Sequence, residues 1–370
     1  VISAIAQKPF YFPSAELLAV LSGDWCGAFS GGKDSSAMIT LIEWLRRSGW
    51  VTAKNPKLVQ SDTMVEDASL QAISGELLDV LGGCGWEFAV VRPEVNERLY
   101  CQILGRGLPP IHPGIKNFRW CSRSTKKDPM QRWRDVNARG VTLTGLRWGE
   151  SQQRDGKLLK AGCEAGGECG IPDADGGTYS PIINWRTCQV IDWLNGAIGR
   201  EDAELMQDVF AVTRKLVEIY DVKYGQPDFD GDVRVEAVAR FGCQGCPAIE
   251  ESAIAPKNVV KRNGAGSPLN ELYAVWHEAR KPHNRIVKVK PDGRNYYGAL
   301  RMDARKKLFD WVMDIQCRSG VTLIREEDEA FIRQCWQDSV YPTRYTAADE
   351  LREMPDYEMP LFDECLEATP

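Results

Sequence analysis

The order of apolar and polar positions predicts short strands that alternate with amphipathic helices. Trp25–Phe29 is a brief apolar run that stops at Ser30-Gly31-Gly32 and predicts a strand. Asp34–Arg47 sets Met38, Leu41, Ile42 and Leu45 on one face at helical spacing. Lys57–Gln60 predicts a second strand. Leu70–Leu81 predicts a second helix, with Gly82-Gly83 just past its end, where glycine closes helices. Glu87–Val91 predicts a third strand, Thr125–Asn137 a helix and Val141–Leu146 a fourth strand. Strands alternating with helices predict an α/β fold around a parallel sheet.

The pattern then changes. Residues 155–180 are rich in Gly, Asp and Cys, lack a period and predict a long loop of the kind that often carries function. From Val190 the helical period dominates, over Val190–Ala197, Glu201–Tyr220, Met302–Arg318 and Glu326–Trp336. Pro256–Pro268 reads as a connection. The expected organisation is an α/β domain over 1–200 and a mainly helical region over 201–345, with an acidic tail over 346–370. Between Ala347 and Pro370 stand eight acidic residues and one basic residue, Arg352.

Composition narrows the chemistry. The chain has 370 residues, 43% hydrophobic and 26% charged, which is ordinary globular usage. No apolar run reaches membrane-helix length, and Val1–Pro13 lacks the pattern of a secretory leader. The expectation is a cytoplasmic protein without a membrane partner. A net charge of −6 excludes a wholly basic polyanion binder but leaves room for a local basic channel. Twelve cysteines against three histidines (His112, His277, His283) predict reduced thiols, and any metal centre should be thiolate-rich, zinc or iron–sulfur.

The clearest motif is Ser30-Gly31-Gly32-Lys33-Asp34-Ser35-Ser36, between a predicted strand and helix. Two glycines allow a tight turn with exposed amides, and the helix start adds unpaired N–H groups and a positive dipole end. Together these make an anion cradle. Ser30, Ser35 and Ser36 add hydroxyls and Lys33 a charge. Asp34 can orient the loop or help hold Mg²⁺. The spacing of a Walker A loop is absent.

This string resembles the pyrophosphatase loop of the PP-loop enzymes. Asp62-Thr63 with Glu66, and Gly145, Arg147, Glu150, Ser151 and Arg154, resemble two further blocks of the phosphoadenylyl-sulfate reductase-like branch. The resemblance implies an adenine nucleotide alpha hydrolase-like, Rossmann-like sheet with helices on both faces. It also implies cleavage of ATP to AMP and pyrophosphate. Ser30–Ser36, Asp62, Thr63, Gly145, Arg147 and Arg154 would bind the nucleotide, with Lys33, Asp34 and Arg147 in the chemistry. All three blocks follow strands, where ligands gather in open α/β sheets.

Cys243-Gln244-Gly245-Cys246 has the spacing of a metal site or a redox dithiol. Cys121, in Arg119-Trp120-Cys121-Ser122, resembles the cysteine segment of cluster-bearing sulfonucleotide reductases. That likeness implies a [4Fe–4S] cluster on Cys121, Cys169, Cys243 and Cys246, with Cys163 as substitute for either of the first two. Cys169 is alternatively a sulfur-carrying catalytic thiol. Its Glu168-Cys169-Gly170 setting resembles the reductases' catalytic tail, but here it is mid-chain and followed by Ile171-Pro172. The other cysteines (Cys26, Cys84, Cys101, Cys188, Cys317, Cys335, Cys365) read as small core residues.

Two stretches are basic against the overall charge. Lys116–Arg134 holds seven basic residues with Trp120 and Trp133 between them, and Arg119, Arg123, Lys126 and Lys127 are the nucleic-acid candidates. Arg280–Lys307 holds ten basic residues with Tyr296 and Tyr297. Each reads as a phosphate-tracking surface or a solvated face.

Arg240-Phe241-Gly242-Cys243 through Cys246, then Ala304-Arg305-Lys306, Leu323-Ile324 and Ile332-Arg333 with Trp336, resemble DNA phosphorothioation sulfur-transfer proteins of the Dnd C-subunit and Ssp D-subunit type. Gln244-Gly245 stands where the Dnd type usually has an aromatic–Thr pair, so the subtype stays open. The resemblance implies ATP, Mg²⁺ and a cluster, a cysteine desulfurase as sulfur donor, other phosphorothioation subunits and DNA as partners. The alternatives are a sulfonucleotide reductase, a tRNA thiolation enzyme, or a non-catalytic nucleotide-sensing subunit.

Overall fold

The computed structural model describes residues 13–52, 56–111, 120–137, 140–149, 155–156, 158–159, 170–171, 177–220, 222–227, 233–237, 243–246, 266–289 and 293–351; of 170–171, 222–227 and 233–237 it describes the backbone alone. Two compact units share the chain. One comprises Val1–Asp62, Glu66–Val91 and Met130–Gly242, and the other Thr63–Val65, Arg92–Pro129 and Cys243–Pro370.

The first unit is built on the expected sheet. Strands β1 (Trp25–Phe29), β2 (Lys57–Ser61), β3 (Glu87–Val91), β4 (Val141–Leu143) and β6 (Thr178–Tyr179) pair in parallel in the order β3-β2-β1-β4-β6. β5 (Gly170–Ile171) adds an antiparallel edge to β6, and β7 (Val222–Pro227) pairs antiparallel with β8 (Val233–Ala237) as a separate hairpin. β1 therefore lies between β2 and β4, and the strand order reverses beside it, which is the switch point where α/β sheets bind ligands.

Helices cover both faces because alternate strand residues point to opposite sides. Trp25, Phe29 and Leu58 join the large apolar core with α2 (Lys33–Arg47), α3 (Ala68–Gly83), α5 (Thr187–Leu194) and α7 (Gln207–Ile219). Cys26 and Val59 turn the other way, where Met130 and Trp133 of α4 (Asp128–Asn137) pack on them. α2 is buried over Ser35–Leu45. Trp193 anchors this core, stacking edge-on with Trp44, Trp185 and Phe210 and donating its indole N–H to Thr40 Oγ1 at 2.8 Å.

The second unit has its own core. The π-helical turn Cys101–Gly105, α8 (Leu272–Arg280), α9 (Met302–Ser319) and α10 (Glu326–Gln337) bury Ile103, Leu104, Trp276, Phe309, Val312 and Ile332 together. The antiparallel hairpin β9 (Arg285–Val289) and β10 (Asn295–Leu300) leads into α9.

Three details differ from the hydropathy reading. Glu201–Tyr220 is two helices, Arg200–Leu205 (α6) and α7, because Met206 leaves helical geometry (φ −109°, ψ 16°) and is itself fully buried. The helix expected from Thr125 starts as the turn Trp120–Ser122, passes through a π-helical turn at Arg123–Lys127 and becomes α-helical only at Asp128. β4 ends at Leu143 rather than Leu146, since Gly145 must approach α2 closely. The compact units are interleaved along the chain, whereas the hydropathy pattern divides it consecutively.

Candidate functional site

The loop Ser30–Ser36 occupies the β1–α2 turn. Gly31 takes φ +72°, which L side chains avoid, and a Cβ there would press on Ser74 at 2.7 Å from Oγ. Ser35 fastens the turn: its hydroxyl donates to Gly32 C=O at 3.0 Å, accepts from Ser30 N–H at 3.2 Å and lies 3.0 Å from Ser30 Oγ. Gly32 is the N-cap of α2 and contributes no side-chain cap, so first-turn amides keep their polarity for another acceptor. The Lys33 amide is met by the Tyr220 hydroxyl at 3.3 Å. Ser30 is exposed, Gly32, Lys33 and Asp34 are half-buried, and Ser35 and Ser36 are buried.

Asp34 is held by two cations. Lys33 Nζ lies 2.5 Å from Oδ2, and Arg147 Nε donates to Oδ1 at 2.6 Å. Arg147, 4% exposed, also donates to Trp185 C=O at 2.8 Å. Gly145 brings the segment after β4 against α2: a Cβ there would fall 2.8 Å from the Asp34 carbonyl carbon and the Ser35 nitrogen. The predicted loop and the predicted Gly-x-Arg block thus form one site. Both Asp34 carboxylate oxygens are engaged, Oδ2 by Lys33 and Oδ1 by Arg147. The site can receive an anion on amides flanked by Lys33 and Arg147.

Tyr220 and Ser74 belong to this site and carried no sequence signal, because neither lies in a motif or near the loop along the chain. Burial pushes the Tyr220 phenol up to about 12, opposed by the Lys33 N–H it accepts.

Asp62 sits at the carboxyl end of β2, donating its N–H to Val91 C=O at 2.9 Å, and its carboxylate accepts from Gln71 at 3.4 Å. Thr63, in the second unit, is fully buried with its hydroxyl unpartnered. Asp67 caps α3, accepting from the Ser69 and Leu70 amides.

In the second unit the Cys243–Cys246 turn is tied down at each residue. Gln244 N–H donates to Val65 C=O at 2.5 Å, Cys246 N–H to Cys243 C=O at 3.1 Å, and the Trp276 indole to Gly245 C=O at 2.6 Å. Gly245 takes φ +59°, and a Cβ there would collide with Leu272. Cys121 and Cys243 pack against the same apolar core. Among the described residues, no three His, Cys, Asp or Glu side chains gather as a metal requires. Arg119, Glu150, Ser151, Arg154, Cys163, Cys169 and Cys365 lie outside the described residues.

Lys127 and Arg123 are exposed and Lys126 half-buried on the π-helical turn, with Arg123 3.3 Å from Asp128. The second basic stretch is mixed in role. Much of it is structural: Arg280 donates to Ile111 C=O, Arg285 to Gly298 and Tyr297 C=O, Arg301 to Glu350 C=O, and Arg305 to Leu300, Gly105 and Val340 C=O. Among the cysteines, Cys26, Cys101 and Cys335 are core residues as expected, Cys84 and Cys188 are half-buried, and Cys317 is exposed. Cys317 follows the core residue Ile315 by two positions on α9, which carries it off the buried face. Burial pushes the Cys26 thiol up to about 11. No described helix is long and apolar enough to cross a membrane.

No protein-family model and no curated protein matches the chain. Among solved structures, phosphoadenylyl-sulfate reductase from Candida auris, in a phosphate complex, is similar to it with 16% identity and a TM-score of 0.32. That match covers 48% of this chain and 75% of the reductase chain.

Proposed function

We propose that this chain is an ATP-dependent sulfur-transfer enzyme of DNA backbone phosphorothioation, acting as an ATP pyrophosphatase of the PP-loop type. The observation that carries the nucleotide reading is the junction of the β1–α2 loop with Arg147 through Asp34. An adenine nucleotide would set its phosphates on the loop amides. Lys33 and Arg147 would turn from Asp34 toward the phosphate oxygens, stabilising charge that builds at the α-phosphorus. Mg²⁺, carried with the nucleotide, would neutralise phosphate charge when bound. Asp34 acts as a positioning carboxylate that keeps both cations aimed at one place.

A non-bridging oxygen of a DNA phosphate would attack the α-phosphorus, releasing pyrophosphate. A cysteine desulfurase would supply the sulfur as a persulfide; its terminal sulfur would attack the activated phosphorus and displace AMP, and a second thiol would then cleave the S–S bond, forming a disulfide and leaving the phosphorothioate. The thiols of Cys121, Cys243 and Cys246, with Cys169 or Cys163, are the candidates for handling that sulfur or for a [4Fe–4S] cluster. Arg119, Arg123, Lys126 and Lys127 are the candidates for holding the DNA, and other phosphorothioation subunits would act alongside.

The test is mass spectrometry of nuclease-digested DNA from the native host with the gene intact and deleted. Phosphorothioate dinucleotides that vanish on deletion are the expected result. Their absence from a strain that expresses the protein overturns DNA as acceptor and turns the assays to sulfonucleotide reduction and tRNA thiolation.

A further inference from the structure

The residues after α10 run back across their own unit as a strap, 340–351. Val340 C=O accepts from the Arg305 guanidinium at 2.8 Å, and the Tyr341 ring lies 4.4 Å from it. The Lys288 ammonium donates to Arg344 C=O, with the Tyr345 ring 4.5 Å and the Asp349 carboxylate 3.3 Å away. Glu350 accepts from Arg301 through its carbonyl at 3.3 Å and from the Met302 amide through its carboxylate at 2.5 Å. Gly298 leaves room for Tyr345 to lie against β10, since a Cβ there would collide with its ring.

One short segment thus engages three cations of the basic stretch Arg280–Lys307: Lys288, Arg301 and Arg305. It does so with carbonyls, carboxylates and flat rings, the groups a nucleic acid presents as phosphate oxygens and bases. Arg305 makes the junction electropositive. Its side chain is fully buried, its charge meets carbonyls and the Tyr341 ring, and Nη2 has no hydrogen-bond partner among the described residues. Exposed Tyr296 stands in register opposite Lys288 on the hairpin and offers a stacking face beside that ammonium. This aromatic surface, with guanidinium forks suited to phosphate, favours a nucleic acid over an acidic protein. The strap also opens the acidic run, its Asp349 and Glu350 being the first of the eight acids between Ala347 and Pro370.

We propose that the hairpin–helix junction bearing Lys288 and Arg301, with the buried Arg305 beneath it as a structural cation, is a nucleic-acid phosphate surface, and that the 340–351 strap occupies it as an in-chain competitor. This deepens the DNA reading above and rests on it for the identity of the partner. Displacing the strap opens two cations, Lys288 and Arg301, to phosphates, each contributing about 0.7–0.9 to the slope of log affinity against log salt.

The test uses the full chain with Tyr345→Ala and Asp349→Ala, which loosen the strap and leave all three cations in place. Binding of a labelled oligonucleotide is followed by fluorescence anisotropy across a salt series, with circular dichroism as the check on folding. The expected result is about tenfold tighter binding and a slope steeper by about 1 to 2. Adding Lys288→Gln should remove about one unit of that slope. If the double variant fails to fold, Asp349→Asn alone should still tighten binding, by about threefold. Unchanged affinity and slope in a folded variant overturn the proposal, as does a gain for polyglutamate without one for the oligonucleotide. Pyrophosphate–ATP exchange by the unaltered chain reports on the phosphate loop separately, so loss of either reading leaves the other distinguishable.

Discussion

At Asp34 two cations share one carboxylate, and the arrangement is set before any nucleotide arrives. Lys33 packs on the Tyr220 ring and, among the described residues, pairs with its sequence neighbour Asp34, so Lys33→Ala should leave the fold intact. The same change removes a charge from the phosphate cradle, with an expected loss of about 10²–10³-fold in nucleotide turnover, read by steady-state kinetics. Tyr220 gives a second expectation. Its phenol stays protonated in the folded chain up to about 12, while a phenol in the unfolded chain ionises near about 10. The unfolded state loses its proton first, so stability contributed here is full below about 10 and is lost as pH rises toward 12. Tyr220→Phe should flatten that alkaline decline, measured by urea denaturation at about pH 9 and about pH 11.5. At this scale the sequence named Lys33, Asp34 and Arg147 because they lie in motifs. Tyr220 was invisible because only tertiary packing brings it, from 187 residues away, to the Lys33 amide.

Among elements, the contact between α2 and the segment after β4 makes the site. Gly145 is required there by its closeness to backbone atoms, which cannot rotate away. Gly145→Ala should therefore push the β4 segment off α2, costing about 1–3 kcal/mol of stability and weakening nucleotide binding. Calorimetry and a binding titration check both. The α/β half of the fold was legible because strands and helices there have clean periods. Trp25–Phe29 and Glu87–Val91 match their predicted bounds, and Lys57–Ser61 extends one residue beyond them. The β9–β10 hairpin was not read, because its charges masked the alternation of Ile286, Lys288 and Val289 with Tyr296 and Tyr297. Pro291-Asp292-Gly293 was the turn signal that could have located it. The break at Met206 was hidden for a different reason: its apolar side chain continues the helical period while its backbone leaves the helix.

For the whole molecule, the sequence order of motifs and the grouping in space diverge. The Asp62-Thr63 block is divided between the units, and Thr63–Val65 belongs with the Cys243–Cys246 turn through the Val65–Gln244 hydrogen bond. Linear reading could not show this, since it assigns neighbours along the chain to one domain. Nor could it show that Arg285 and Arg305 are buried structural cations inside a chain of net charge −6. What unites the account is the claim that the β1–α2 loop binds ATP and directs attack to the α-phosphorus. Isotope exchange between labelled pyrophosphate and ATP, run with DNA present on the unaltered chain and on Lys33→Ala, tests it most directly. The account predicts exchange by the former, AMP and pyrophosphate as products, and loss of both in the variant. Release of ADP and phosphate, or equal exchange by the variant, would contradict it.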